Sequence, residues 1–188
     1  KGGTPWRQGN ILPVPVPAPD VGLLFAPVCG ANSLIAVNTD SATGSICEED
    51  LTWKLHEESI AAVSGSPLYY NNRLYTLEGE NPCSMVCRDA ASGKKLWEGA
   101  LSVKETFSSS PTGADDKVYC LSESGSVVII NAGACDQYEE IAVMKMGGQA
   151  FYSNIAISNQ RLFIRTNEKL YCVKKRRWIR FMDNEFLD

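Results

Sequence analysis

Cysteine is the residue type in this sequence with the widest chemistry, because thiols bind metals, form disulfides and act as nucleophiles. The chain of 188 residues contains seven cysteines and one histidine, His56. Structural zinc sites need two close ligand pairs, and the one close cysteine pair here is Cys83 and Cys87. We therefore interpret most of the cysteines as small buried hydrophobic residues. A Cys83–Cys87 disulfide stays open as an alternative if the chain is exported.

Serine, histidine and acidic clusters are weaker candidates for chemistry. No G-x-S-x-G turn surrounds the run Ser108–Ser110, and the single histidine belongs to another part of the chain. His56 lacks the second histidine of an H-E-x-x-H zinc motif and is expected in a solvated link. The acidic stretches Glu48–Asp50 and Asp115–Asp116 are typical of exposed loops. The sequence thus predicts no catalytic residue, no metal ligand and no bound cofactor.

Composition argues against two classes of partner. The formal net charge is −4, so no overall basic field is available for nucleic acid. No apolar run approaches the roughly 20 residues of a membrane-spanning helix. The basic run Lys174–Arg177 could contact an anionic partner, but we interpret it as a solvated strand edge. The proline-rich segment Pro13–Pro19 is expected to be extended.

A repeat of 44 residues organises most of the chain. The stretch SPLYYNNRLYTL at 66–77 aligns with SPTGADDKVYCL at 110–121 and with NIAISNQRLFIR at 154–165. An internal repeat of this length indicates an array of similar structural units. The sequence divides into an N-terminal segment and four units, the last of them incomplete, at 1–14, 15–61, 62–105, 106–149 and 150–188.

The same alignment assigns equivalent residues in the first and third units. Trp53 matches Trp97, and Ile141 takes the tryptophan place in the third unit. Once loop insertions are allowed for, Phe25 matches an aromatic at the corresponding place of each later unit, and Pro17 matches the proline that opens the second unit.

Each unit has the pattern of four short β-strands separated by turn residues, which indicates an all-β fold. Four strands in a repeat of this length predict a blade of a β-propeller. An aspartate is expected to accept N–H bonds in each outer turn, a glycine to supply positive φ, and a tryptophan to cover the contact with the next blade. These structural residues are Asp40, Gly44 and Trp53 in the first unit and Asp89, Gly93 and Trp97 in the second.

The pattern CRDAASGKKLW at 87–97, and the stretch VNTDSATG at 37–44 followed by Trp53, resemble the repeat of pyrroloquinoline-quinone (PQQ)-type propellers. The resemblance implies a propeller with more blades than the four visible units. That family includes quinoprotein alcohol dehydrogenases and the outer-membrane barrel-assembly lipoprotein. The resemblance also implies a periplasmic or extracellular location. Its enzymes use a quinone near two adjacent cysteines, a calcium ion and a catalytic aspartate, and this sequence has no adjacent cysteines.

The prediction for function is a non-catalytic propeller module that binds protein or ligand. The alternative is part of a PQQ-dependent dehydrogenase for alcohols or sugars, and that alternative alone requires PQQ and calcium. A third class is a purely structural domain. The expected partner is another protein or the remaining blades of the same protein, and a homo-oligomer is a further option. The irregular loop 41–50 is the preferred binding loop.

Three polar residues are candidates for lining a central channel. Ser66, Ser110 and Asn154 are related by the 44-residue shift, so they are expected at equal height around the propeller axis. Converging polar groups could bind a ligand or ordered water. The alternative, which we favour, is that crowded inner strands require small residues at these places.

Overall fold

The computed structural model describes residues 13–28, 33–56, 60, 65–79, 82–134, 136–150 and 153–174. Fifteen β-strands and no α-helix lie within these ranges. The strands form four antiparallel sheets, three with four strands and one with three. Each sheet consists of consecutive strands that pair in chain order, as in the blades of a β-propeller. The predicted all-β propeller fold is confirmed.

Among the described residues, no helix has the length and apolar character needed to cross a membrane.

The four sheets follow one another along the chain, and each lies within one of the four predicted units. Sheet 1 contains β1 (Val16–Ala18), β2 (Leu23–Val28), β3 (Ser33–Asn38) and β4 (Leu51–His56), with a 3₁₀ turn at Glu48–Asp50. Sheet 2 contains β5 (Leu68–Tyr70), β6 (Arg73–Glu78), β7 (Ser84–Asp89) and β8 (Lys95–Ala100). Sheet 3 contains β9 (Thr112–Ala114), β10 (Lys117–Leu121), β11 (Ser126–Asn131) and β12 (Glu140–Lys145). Sheet 4 contains β13 (Ala156–Ser158), β14 (Arg161–Arg165) and β15 (Leu170–Lys174).

The inner hairpins of sheets 2, 3 and 4 close through two-residue turns in which both residues have positive φ. Asparagine and aspartate tolerate this conformation better than most residues, and two such residues form the type I′ turn that suits a tight hairpin. The φ angles lie between 50° and 59° at Asn71, Asn72, Asp115, Asp116, Asn159 and Gln160. The turns that the sequence predicts at these places are confirmed.

The pairing of β1 with β2 corrects the sequence alignment of sheet 1. Phe25 pairs with Val16, whereas the alignment requires a partner two positions later. Pro15 is therefore the counterpart of Pro67, and the predicted match of Pro17 is wrong. The β1–β2 connection has four residues rather than the two of the other inner hairpins, and this difference accounts for the shift.

Strand pairing corrects the alignment of sheet 3, because its β10–β11 connection is shorter and its β11–β12 connection is longer than the matching connections of sheet 2. Each four-stranded sheet has a register shift between its third and fourth strands. Cys87 pairs with Trp97 in sheet 2, and the equivalent Ile129 pairs with Ala142 in sheet 3. Ala142 thus occupies the tryptophan place, and the predicted residue, Ile141, is wrong by one position.

The core of the molecule lies between successive sheets rather than within one. Side chains alternate along each strand, so Leu74 packs against sheet 1 while its neighbour Tyr75 packs against sheet 3, and both are fully buried. We call the two sides of each sheet its aliphatic and aromatic faces. The aliphatic faces carry Leu24, Leu74, Val118 and Leu162, and the aromatic faces carry Phe25, Tyr75, Tyr119 and Phe163.

Trp53 connects sheet 1 to the outer turn of sheet 2. Its indole Nε1 donates a hydrogen bond to Ala90 O at 3.0 Å, and its ring stacks on Phe25 with centroids 5.6 Å apart. The ring also lies directly on Gly93, where an added Cβ would come within 2.8 Å of Trp53 Cδ2. The turn that ends at Gly93 therefore forms the surface on which the tryptophan of the preceding sheet rests.

Trp97 makes a different contact between sheets 2 and 3. Its ring meets the edge of Tyr138 at a centroid distance of 5.9 Å, and Tyr138 covers Gly99 so closely that no Cβ would fit there. Trp97 Nε1 has no hydrogen-bond partner among the described residues. Ala132 O, in the place of the carbonyl that binds Trp53, instead accepts from Asn71 Nδ2 at 3.3 Å. Trp97 also packs on Tyr75 of its own sheet with centroids 5.9 Å apart, as Trp53 packs on Phe25, so this aromatic contact is shared while the contacts to the next sheet differ.

Two glycine substitutions separate backbone strain from packing on Trp53. Gly93 and Gly44 both have φ of 72°, but a Cβ at Gly44 has no atom within 4 Å. Gly44→Ala should cost about 1 kcal/mol in the free energy of unfolding from strain alone. Gly93→Ala should cost about 3 kcal/mol because the added methyl also displaces the Trp53 ring. Urea unfolding monitored by tryptophan fluorescence measures both, and equal losses would contradict the assigned contact.

Candidate functional site

The three predicted channel residues form one series of hydrogen bonds along the inner strands. Ser66 Oγ accepts from the N–H of Val14 at 2.7 Å. Ser110 Oγ accepts from Ser66 N at 2.9 Å, and Asn154 Oδ1 accepts from Ser110 N at 3.0 Å. Each side chain therefore binds the backbone of the preceding sheet, and the series links all four sheets.

The inner strands around this series are closely packed. An added Cβ on Gly65 would lie 2.8 Å from Ser109 O, so no larger residue fits there. Ser109 Oγ donates to Ser153 O at 2.8 Å across the next interface. These contacts favour the interpretation that small polar residues join the inner strands. Ligand binding by Ser66, Ser110 and Asn154 stays a prediction.

The outer turns place an acceptor side chain at the end of the third strand of each four-stranded sheet. Asp89 Oδ1 accepts from the N–H of Ser92 at 2.9 Å and from its hydroxyl, and these hydrogen bonds lower the pKa of the Asp89 carboxyl. In sheet 1 the equivalent residue is Asn38, whose Oδ1 accepts from Asp40 N at 2.9 Å. Asn131 has the same place in sheet 3. The sequence analysis assigned this role in sheet 1 to Asp40, which is exposed, and missed Asn38.

The central cysteines are buried and form no disulfide with one another. Cys83, Cys87 and Cys120 lie in the core between sheets 2 and 3 and are not bonded to each other. The alternative of a Cys83–Cys87 disulfide is therefore wrong, and the interpretation of these residues as buried hydrophobes is confirmed. Burial, with a contribution from the charge of Glu78, raises the pKa of Cys83 to about 12. Burial also raises the pKa of Cys120.

Ser108 is buried, and its hydroxyl donates to the Glu123 carboxylate. His56 is exposed as predicted, but it ends β4 rather than lying in a link, and its Nδ1 is 3.2 Å from Ser33 Oγ. Within the described ranges, no three His, Cys, Asp or Glu side chains are arranged to hold a metal ion.

A buried ion pair between sheets 1 and 2 was missed by the sequence analysis. Arg88 Nη2 lies 3.3 Å from Glu78 Oε1, which also accepts from Thr76 Oγ1 at 2.6 Å. All three side chains are buried. They lie on the aliphatic face of sheet 2, because Arg88 pairs with Leu74 and because Thr76 and Glu78 are two and four positions after Leu74 on the same strand. A buried pair with additional hydrogen bonds offsets the cost of removing its charges from water. Sequence gives no direct signal for it, since polar residues at alternate strand positions usually face solvent.

A groove of about 730 Å³ lies on the aliphatic face of sheet 1, the side turned away from sheet 2. The equivalent faces of the other three sheets are covered by the preceding sheet. The groove is lined by apolar, polar and charged side chains together. Its lining residues are Val28, Ser33, Ile35, Ile46, Cys47, Glu48, Leu51, Lys54 and His56.

The connection between β3 and β4 forms one wall of this groove. Asp50 Oδ2 accepts from Cys47 N at 2.9 Å and from Cys47 Sγ at 3.1 Å, and these bonds hold the short 3₁₀ turn and lower the pKa of Asp50. Lys54 Nζ lies 3.1 Å from Glu48 Oε1 at the rim. Ile46 is 51% exposed beside these charges. The loop that the sequence analysis preferred therefore borders the groove.

Comparison with known proteins supports the fold. No protein-family model and no curated protein matches the sequence. The crystal structure of the computationally designed Ika4 protein matches with a TM-score of 0.61 and 7% identity, over 81% of this chain and 85% of that chain. Quinohemoprotein alcohol dehydrogenase from Comamonas testosteroni matches with a TM-score of 0.53 and 15% identity, over 71% of this chain and 21% of that chain.

BamB from Moraxella catarrhalis is also similar, at 15% identity and a TM-score of 0.45, over 86% of this chain. The chain spans 57% of the length of BamB and 23% of a europium-containing methanol dehydrogenase. At 7% and 15% identity, the designed protein and the quinohemoprotein alcohol dehydrogenase, whose TM-scores exceed 0.5, show the β-propeller fold and leave the activity open.

Two serine substitutions test the inner-strand series. Ser110→Ala leaves the half-buried N–H of Ser66 without its acceptor and should lower the free energy of unfolding by about 1–2 kcal/mol. Ser66→Ala removes the acceptor of Val14, which is 65% exposed, so water replaces it and the cost should stay within about 0.5 kcal/mol. Chemical denaturation distinguishes the two, and a larger loss in Ser66→Ala would contradict the assignment.

Thiol labelling tests the state of the cysteines. In the folded protein at pH 8 and high dilution, where single chains prevail, Cys47 and Cys172 should react with iodoacetamide because both are exposed. Cys83, Cys87 and Cys120 should react once the chain is unfolded in urea without reductant, since burial protects neutral thiols. Peptide mass spectrometry measures each site. Cys83 and Cys87 that stay unlabelled after unfolding would indicate a disulfide.

Proposed function

We propose that this chain is a non-catalytic β-propeller module that acts by binding protein. The observation that carries the proposal is the groove on the aliphatic face of sheet 1. Leu74 and Val118 lie on the aliphatic faces of sheets 2 and 3, and each is fully buried by the preceding sheet. On sheet 1 the same face leaves Val28 37% exposed. An apolar surface that resembles the buried interfaces between sheets is stabilised when a protein partner covers it and excludes water.

The composition of the groove supports the same proposal. Protein-binding surfaces combine an apolar centre with a polar rim, and here Val28, Ile35 and Leu51 form the floor. Glu48 and Lys54 supply charges at the edge. Because the hydrogen bonds of Asp50 fix the adjoining turn, the loop is ordered before a partner binds, which lowers the entropic cost of binding.

The location that accords with this proposal is periplasmic or extracellular. It is supported by the resemblance of the repeat to PQQ-type propellers and by the likeness in fold to quinoprotein propellers.

Site-specific crosslinking tests the binding surface. A photoreactive amino acid at position 46 should form adducts with protein in the cells from which the chain comes, because Ile46 borders the groove. Ile141 is the matched control, since it is a similarly exposed isoleucine, at 47%, on the outer strand of sheet 3. Equal adduct yields at both positions, or none at position 46, would overturn the proposal.

A cofactor titration separates this proposal from a PQQ-dependent dehydrogenase. The purified chain with PQQ and calcium should show no bound-quinone absorbance and no dye reduction with alcohols or sugars. A quinoprotein alcohol dehydrogenase reconstituted under the same conditions serves as the positive control. Stoichiometric quinone binding together with dye reduction would show that the chain is catalytic and would overturn the protein-binding proposal.

A further inference from the structure

We infer that the occupant of the groove on sheet 1 is the aromatic face of sheet 4 from a second copy of this chain. The inference rests on the proposed function, because it names the partner of the same surface. Its consequence is a closed dimer in which each copy supplies both faces. Two copies would complete one ring of eight sheets, joined by two new interfaces.

The first argument is that sheet 4 presents one half of an interface whose other half is on sheet 1. At the three internal interfaces, Phe25, Tyr75 and Tyr119 each stand on the face that meets the next sheet. Phe163 is the fourth residue of this series and is paired with Ala156 and Cys172. Because the alternate residues of its strand, Leu162 and Ile164, face sheet 3, Phe163 faces the opposite way.

The face around Phe163 is largely uncovered among the described residues. Leu170, on the same face of β15, is 71% exposed, and Cys172 is also exposed. Ala156 on β13 is exposed as well. The corresponding face of sheet 2, with Tyr75 and Cys87, is fully buried. Within the described residues, the aromatic face of sheet 4 and the aliphatic face of sheet 1 are therefore both largely uncovered.

The second argument is complementary charge. Arg161 and Arg165 flank Phe163 on the same face, and Lys174 lies opposite Arg161 on β15. All three are exposed. Glu48 lines the groove on sheet 1 beside Lys54, and the same 3₁₀ turn adds the exposed Glu49 and the carboxylate of Asp50 next to it. The face of sheet 4 is basic and the groove of sheet 1 has acidic groups beside it, so sheet 4 of one copy is attracted to sheet 1 of the other. Contact between two copies of the same face would bring like charges together. The contact between copies is therefore head to tail.

Symmetry makes two copies sufficient. When the aromatic face of each copy meets the aliphatic face of the other, both new interfaces are equivalent and no face stays open. In an open chain of copies, the same contact would leave one face of each kind uncovered at the ends. Closure into a dimer therefore buries more apolar surface per copy than growth into a short filament does.

The new interface lacks one feature of the internal ones. Val14 has the place in sheet 1 that Ser66 has in sheet 2, so sheet 1 offers no side-chain oxygen to the inner strand of a partner's sheet 4. The interface between copies therefore relies on apolar and charged contacts. We expect it to be the one that opens on dilution, while the internal interfaces persist.

Sedimentation equilibrium of the full 188-residue chain tests the inference. The mass should be twice that of one chain at high micromolar concentration and should fall toward one chain on dilution. Phe163→Asp and Ile35→Asp should each give monomers, since each removes one face. Ile141→Asp, on the outer strand β12, is the matched control and should stay dimeric.

A mixing experiment guards against misfolded variants. Phe163→Asp keeps an intact groove and Ile35→Asp keeps an intact aromatic face, so an equimolar mixture should form a heterodimer through one interface. Charge reversal should act in the same way: Arg161→Glu with Arg165→Glu should weaken dimerisation by about tenfold, and adding Glu48→Lys with Glu49→Lys should restore it. Complementation of this kind requires both variants to be folded.

The outcomes separate the two proposals. A monomeric wild-type chain, a larger or open-ended oligomer, or a dimer that survives both aspartate variants would overturn the second-copy inference. If adducts at position 46 then identify a different protein, the binding function stands without self-association. Quinone binding with dye reduction would instead overturn the binding function itself.

Discussion

The structure depends on one constraint, which is that no sheet in it can bury its own two faces. A lone sheet of three or four strands exposes apolar side chains on both sides, and stability comes from the neighbours that cover them. Leu74 and Tyr75 are adjacent in sequence, yet they belong to two different cores on opposite sides of sheet 2. Packing between sheets, rather than packing within one, therefore decides which residues matter.

The interfaces that satisfy this constraint share their apolar contacts and differ in their polar ones. An aromatic residue stands at the same place in every sheet, because a large ring covers the gap between two twisted sheets. The indole of Trp53 is bonded to Ala90, whereas the indole of Trp97 packs on Tyr138 without a polar partner among the described residues. Because the apolar contacts repeat from one interface to the next, the polar contacts around them can differ between interfaces.

The same constraint links the fold to the proposed function. Successive sheets cover one another until the array ends, and each end has one face with the composition of an interface. The groove beside Ile35 and the surface around Phe163 are those two faces. These two faces are the basis of the proposed binding function.

The sequence by itself determined the repeat, the strand-and-turn order within each unit, the propeller class, and the positive φ of Gly93. These properties depend on residues close together in the chain, where spacing and turn chemistry are sufficient. Only the tertiary structure decided the register of β1, the pairing that puts Ala142 at the tryptophan place, the role of Asn38 and the burial of Arg88 with Glu78. Strand pairing and sheet packing fix these features through contacts between distant residues, and a change in the length of a connection shifts them without altering the local pattern.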